Sequence, residues 1–167
     1  MDWVGVEELP EELVVQLSYP RRVSEYAAEV LKDVEAFGVM RFAVEKGQLF
    51  LLGKGFRNVV FLVETERGRA ALKVRRDDAP STEVGREAAV HAAANRAGVG
   101  PQLLGIGEHS LLMEVVAGTP LHKWLPETSG DDARTVIAKA LMQCRALDLA
   151  GIDHGELARA HKHVLVT

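Results

Sequence analysis

The spacing of hydrophobic residues changes along the chain, and each change marks a different kind of element. Over residues 20–38 the apolar positions Val23, Tyr26, Ala27, Val30, Leu31, Val34 and Phe37 recur at helical intervals, which predicts a helix ended by Gly38. From Gln48 the pattern becomes short apolar runs separated by turn residues. Leu49-Phe50-Leu51-Leu52, residues 59–63 and residues 70–74 read as three strands, the last two a hairpin turning at Glu66-Arg67-Gly68. Asp77-Asp78-Ala79-Pro80-Ser81 is a loop. Ser81 or Thr82 then offers an N-cap for a helix over 82–97, with Glu83 in its first turn and Gly98 at its close. Two short strands follow, 102–106 and 110–116, joined by Gly107-Glu108-His109.

At Ala117-Gly118-Thr119-Pro120 the pattern breaks, which predicts a hinge. A short helix is expected over 121–125 and a longer one over 131–149, with Val136, Ile137, Ala140, Leu141, Cys144 and Leu147 on one stripe and Gly151 at the end. Residues 152–163 read as a polar loop before a last strand at 164–166. This order predicts an α+β protein: a five-stranded antiparallel sheet with one packed helix, hinged to a helical part. Three segments result. Residues 1–48 form an N-terminal helical extension, 49–116 a sheet-bearing lobe, and 117–167 a shortened second lobe. A helix-plus-wing unit able to bind nucleic acid is the less favoured reading of the first segment, because its basic residues are few.

Composition narrows the function classes. Hydrophobic residues make up 47% of the chain and charged ones 26%, the balance of an ordinary globular protein, and the net charge of −4 argues against a protein that coats nucleic acid. The single cysteine, Cys144, can close no internal disulfide, which fits a reducing compartment. The acidic first twelve residues, interrupted by Pro10, do not resemble a signal peptide, and no apolar run approaches the ~20 residues that cross a bilayer. A cytoplasmic protein with no membrane partner is expected.

Two features carry candidate chemistry. Gly53-Lys54-Gly55-Phe56-Arg57-Asn58-Val59-Val60 lies at a turn between two strands, where glycine allows backbone to approach a polyphosphate and Asn58 tolerates unusual backbone angles. A strand, not a helix, comes next, so neither a Walker nor a Rossmann loop fits. Lys73 interrupts an apolar strand, and alternation puts Ala71, Lys73 and Arg75 on one face and Leu72 and Val74 on the other. On the face beneath the glycine turn, its ammonium could meet phosphates as a point charge. Glu87, in the following helix, is the candidate carboxylate that holds it, with Glu83 one turn earlier as the competitor.

With these residues in place, the stretch from about Leu49 to Val166 resembles the eukaryotic-type protein kinase superfamily. It is most similar to the compact archaeal, RIO-related Ser/Thr kinase-like proteins. The resemblance implies a kinase N-lobe and a truncated helical C-lobe. Gly53, Lys54, Gly55, Asn58 and Val60 would cover ATP, and Ala71 would line its site. Lys73 would contact the phosphates and pair with Glu87. Met113 would stand at the gatekeeper-like position, and Glu114 to Val116 would hold adenine through backbone atoms.

Asp153-His154-Gly155-Glu156-Leu157 resembles the catalytic loop of kinases and phosphotransferases, with Glu156 where an aspartate is usual. That carboxylate would orient the attacking hydroxyl and accept its proton. The metal-binding asparagine of the family has no counterpart, and His163 falls near its position. The family's Mg²⁺-holding aspartate belongs after the last strand, and the residues read here reach only Thr167, so the Mg²⁺ site is incomplete. The function implied is transfer of the γ-phosphoryl group of ATP to a hydroxyl, on a protein substrate in the Ser/Thr kinase reading. The alternatives are a nucleotide-binding protein without transfer and a small-molecule phosphotransferase. A metal site from Asp153, His154, His161 and His163 matches no standard zinc spacing.

Overall fold

The computed structural model describes residues 1–153 and 164–167, which fall into two compact units. The first comprises Met1–Ala89 and Gln102–Val115, the second Val90–Pro101 and Val116–Thr167.

In the first unit a single antiparallel sheet gathers eight strands: β1 (Asp2–Gly5), β2 (Val39–Glu45), β3 (Gln48–Leu49), β4 (Leu51–Lys54), β5 (Asn58–Thr65), β6 (Gly68–Arg75), β7 (Leu103–Ile106) and β8 (Ser110–Glu114). The path across it is β1-β2-β5-β6-β8-β7, with β3 paired to β2 and β4 to β5. The expectation of five strands is therefore too narrow. The five expected strands correspond to β4 through β8, with β3 opening the first. The segment read as a helical extension contributes β1 and β2 to the same sheet. Val39–Glu45 lacks clean alternation because its pairing with β5 shifts register between Val39 and Arg41, leaving Phe42, Ala43 and Val44 buried in succession.

Helix α1 (Glu11–Val14) is short, and α2 (Ser24–Ala36) is the helix predicted from the apolar stripe. Its inward residues Ala27, Val30 and Val34 pack with Val59, Phe61 and Val63 of β5 and Leu72 and Val74 of β6, all nearly excluded from water. The opposite face of the sheet carries a smaller cluster. There Val84 and Ala88 of α3 (Glu83–Arg96) meet Leu111 of β8, with Leu103 of β7 alongside. Strand alternation thus divides β6 between two helices, with Ala70, Leu72 and Val74 turned to α2 and Ala71 and Lys73 to the α3 side.

A buried polar join fixes α2 to the sheet. The Asp33 carboxylate, 7% exposed, accepts hydrogen bonds from the backbone N–H groups of Glu108 (3.0 Å) and His109 (2.8 Å) and from Ser110 Oγ (2.8 Å). Gly107 is required at this turn, because a Cβ there would lie 2.3 Å from the Asp33 carboxyl carbon. Tyr26 makes a second tie through its hydroxyl, which donates to the Arg75 carbonyl at 2.8 Å. Burial pushes the Tyr26 phenol up to about 12, against a weaker opposing pull from the Arg75 guanidinium. Because the folded value lies above the ordinary 10.0, this hydroxyl supports the fold fully below pH 10 and its contribution is lost as the pH climbs through 12. Alkaline unfolding followed by circular dichroism should therefore begin later in Tyr26→Phe, relative to its own neutral-pH stability, than in the wild type.

The second unit holds the end of α3, β9 (Thr119–Pro120), α4 (Leu121–Trp124), α5 (Gly130–Leu149) and β10 (Leu165–Val166), which pairs antiparallel with β9. His91 Nε2 and Asn95 Nδ2 both donate to the Pro101 carbonyl and close the turn after α3. Ser129 caps α5: its Oγ accepts from the Asp132 N–H at 3.3 Å and donates to the Asp132 carboxylate at 2.7 Å. Ser129→Ala should cost about 1 kcal/mol, read from thermal melts. Among the described residues no helix is long and apolar enough to cross a membrane.

Candidate nucleotide-phosphate site

Lys73 lies in a row that crosses four strands. Its register partners are Val60 on β5 and Leu111 on β8, and Val60 in turn faces Gly53 on β4. Opposed residues in an antiparallel sheet share a face, and neighbouring strands are about 4.8 Å apart. Gly53 therefore stands two strands, or roughly 10 Å, from the lysine backbone on the same side of the sheet. The next row on that face aligns Leu62, Ala71 and Met113, with Leu103 beyond. Sequence alternation placed Ala71 beside Lys73 on this face, and the sheet register adds the residues of the neighbouring strands.

The glycine turn itself is closed by the Gly55 N–H, which donates to the Asn58 carbonyl at 2.8 Å. A Cβ at Gly55 would come within 2.9 Å of Asn58 Oδ1, so any larger residue at this position must push the Asn58 side chain aside. At the tip Phe56 is 90% exposed.

Helix α3 supplies the partner of Lys73. The lysine Nζ donates to Glu87 Oε1, with the two side chains 22% and 28% exposed, so the pair lies at the edge of water. Glu83, the competing candidate, is engaged elsewhere: Arg57 Nη1 donates to both its carboxylate oxygens, at 2.9 and 3.1 Å. The helix thus offers two carboxylates one turn apart, at i and i+4. Glu87 meets the strand and Glu83 meets the glycine turn.

Several other residues singled out from the sequence lie apart from this row. Lys54 faces Val59 across the β4–β5 pair, on the α2 side, and its ammonium stacks 4.3 Å from the Tyr19 ring centre. One residue of offset within a strand reverses the face, which is why a lysine beside Gly53 does not join Lys73. Arg75, at the last position of β6, turns its guanidinium over Tyr26 and bonds the Ala79 carbonyl. Glu114 is exposed; its N–H donates to the Gln102 carbonyl at 2.8 Å and its carboxylate accepts from the Gln102 N–H at 3.1 Å. Val116 falls in the second unit. Glu156 and His163 lie outside the described residues, as do His154 and His161.

The contact that sequence reasoning passed over is that of Arg57 with Glu83. Arg57 follows the second glycine closely, and its contact could be noticed only once α3 was known to fold back beside the turn.

This arrangement defines a class: a mixed α+β protein with a mainly antiparallel sheet, compatible with a kinase-like fold, in which a strand lysine is paired to a helix glutamate beside a glycine turn. Comparison with family models gives a match to APH, the phosphotransferase enzyme family, over residues 50–165. That span is more than half of the chain, and the chain belongs to the phosphotransferase enzyme family. No curated protein matches the chain.

Proposed function

We propose that this chain binds ATP on the Lys73 face of the sheet and serves transfer of the γ-phosphoryl group to a hydroxyl. The observation that carries the reading is the Lys73–Glu87 pair. An ammonium fixed by a carboxylate, at the edge of water and in register with Gly53, is placed to meet the α- and β-phosphates as a point charge. Gly53 and Gly55 let backbone approach the phosphates, while Val60, Ala71 and Met113 give an apolar floor for the base. The Glu114 N–H is committed to Gln102, so on this unit adenine would rely on the carbonyl of Glu114.

In the transfer step the acceptor oxygen bonds to the γ-phosphorus as the bond to the β–γ bridging oxygen breaks. ADP leaves with that oxygen, and the hydroxyl proton passes to the Glu156 carboxylate. Bound with the nucleotide, Mg²⁺ would offset phosphate charge. Among the described residues no three carboxylate, imidazole or thiol groups are gathered as a metal centre requires. His163 remains the sequence-derived candidate ligand, and no step is assigned to it.

Membership of the phosphotransferase family, together with the His154-Gly155-Glu156-Leu157 loop, supports a small-molecule alcohol as acceptor. A Ser/Thr protein acceptor, with a RIO-like ancestry and a cytoplasmic setting, is the second reading and rests on the resemblance of the lobe itself. Glutamate in place of the usual aspartate favours a third, nucleotide binding without transfer.

Calorimetric titration with ATP, with and without Mg²⁺, tests the binding claim, and absence of binding would overturn it. Labelled-phosphate transfer to a panel of small alcohols and to a mixed protein substrate then separates the three readings.

A further inference from the structure

Arg57 projects from the tip of the glycine turn and holds Glu83 in the first turn of α3, beside a cleft of about 490 Å³ whose walls include Phe56, Arg76, Pro80 and Arg86. Both bonds come from one nitrogen, Nη1, so the contact is charge-assisted but leaves the second guanidinium nitrogen out of the paired fork that an arginine and a carboxylate can make. Its position is specific. Glu83 is 21% exposed and anchored on the helix, whereas Arg57 is 54% exposed and extends from a turn that is held, among the described residues, by the Gly55–Asn58 closure and the bond from Arg76 N–H to the Arg57 carbonyl.

The helix that supplies Glu83 also supplies Glu87, the partner of Lys73. One rigid helix therefore fixes both the phosphate-facing lysine and the cover over it. Without the Arg57–Glu83 contact, the tip would be tied to α3 by no hydrogen bond or ion pair among the described residues.

We infer that Arg57 is a positioning residue: its ion pair with Glu83 latches the glycine turn to α3 and slows release of the nucleotide. The inference rests on the ATP-binding reading above and adds a control on that site. The latch contributes to residence time more than to arrival, because the turn must lift before a covered nucleotide can leave. Being largely exposed, the pair acts modestly and is weakened by salt.

The test uses the full chain and four variants: Arg57→Ala, Glu83→Ala, the double alanine variant, and the exchange Arg57→Glu with Glu83→Arg. ATP affinity is measured by calorimetry, and the dissociation rate is measured by stopped flow with a fluorescent ATP analogue. Each single variant is expected to release nucleotide about two- to fivefold faster with an unchanged association rate. The double variant is expected to be no faster than either single one, and the exchange to recover most of the wild-type rate. Raising the salt concentration should speed release from the wild type by a larger factor than from Arg57→Ala, in which only the attraction between Lys73 and the phosphates is left to screen.

Hydrogen exchange at the amides of residues 55–58 gives a reading without nucleotide. It should quicken in both single variants and return toward wild type in the exchange. Wild-type ATP binding with unchanged release in the variants, or additive effects in the double variant, would overturn the latch alone. A wild-type protein that takes up no ATP would overturn the underlying site as well.

Discussion

Lys73→Met should weaken ATP binding by about 10- to 100-fold while leaving the protein folded. The lysine is expected to give the phosphates a charge-assisted hydrogen bond, and such bonds contribute roughly 1.5–3 kcal/mol. Methionine keeps the length and packing of the side chain and removes only the charge. The fold should tolerate the change because Glu87, 28% exposed, can turn its freed carboxylate to water. Glu87→Gln should give a smaller loss, since an amide oxygen still accepts from the ammonium and only the carboxylate charge is gone. Calorimetry on the three proteins decides the matter. Wild-type affinity in Lys73→Met would remove the phosphate role from this lysine.

Asp33→Ala is expected to act on stability instead, lowering it by roughly 3–5 kcal/mol. Truncation deletes an acceptor that serves three donors at once and leaves the Glu108 and His109 N–H groups and the Ser110 hydroxyl facing a void. Ser110 is fully buried, so its hydroxyl gains little from solvent. Urea unfolding measures the loss, and a change below about 1 kcal/mol would show that water replaces the carboxylate there. Gly107→Ala should disturb the same join from the other side by displacing the carboxylate.

These two cases differ in how visible they are in the sequence. The Lys73–Glu87 pair follows from local patterns: strand alternation sets the face of the lysine, and a helix beginning a few residues later carries its glutamate at a fixed turn. The apolar stripe of α2 is equally plain, and the structure narrows it only at the ends, from 20–38 to Ser24–Ala36. Asp33 left no such trace. Its partners stand 75 to 77 positions away, and on the helix it looks like any polar residue beside an apolar stripe.

Strands β1 and β2 were missed for a related reason. Asp2–Gly5 is four residues long, and the register shift in Val39–Glu45 erases the alternation by which a strand is recognised. Arg57 stands in an exposed turn, where arginine is common, and acquires meaning only from the return of α3 toward it. The catalytic-loop residues Glu156 and His163 rest on sequence resemblance alone.

The covering of the sheet by α2 bears on how this protein can be divided. Phe61, Val63, Leu72 and Val74 form the back of the strands that carry Lys73, and they are dry because Ala27, Val30 and Val34 lie against them. A shortened version starting at the glycine turn would present that oily surface to its neighbours and invite clumping. The opening 48 residues are thus the rear wall of the lobe, without which its front could not be kept in shape.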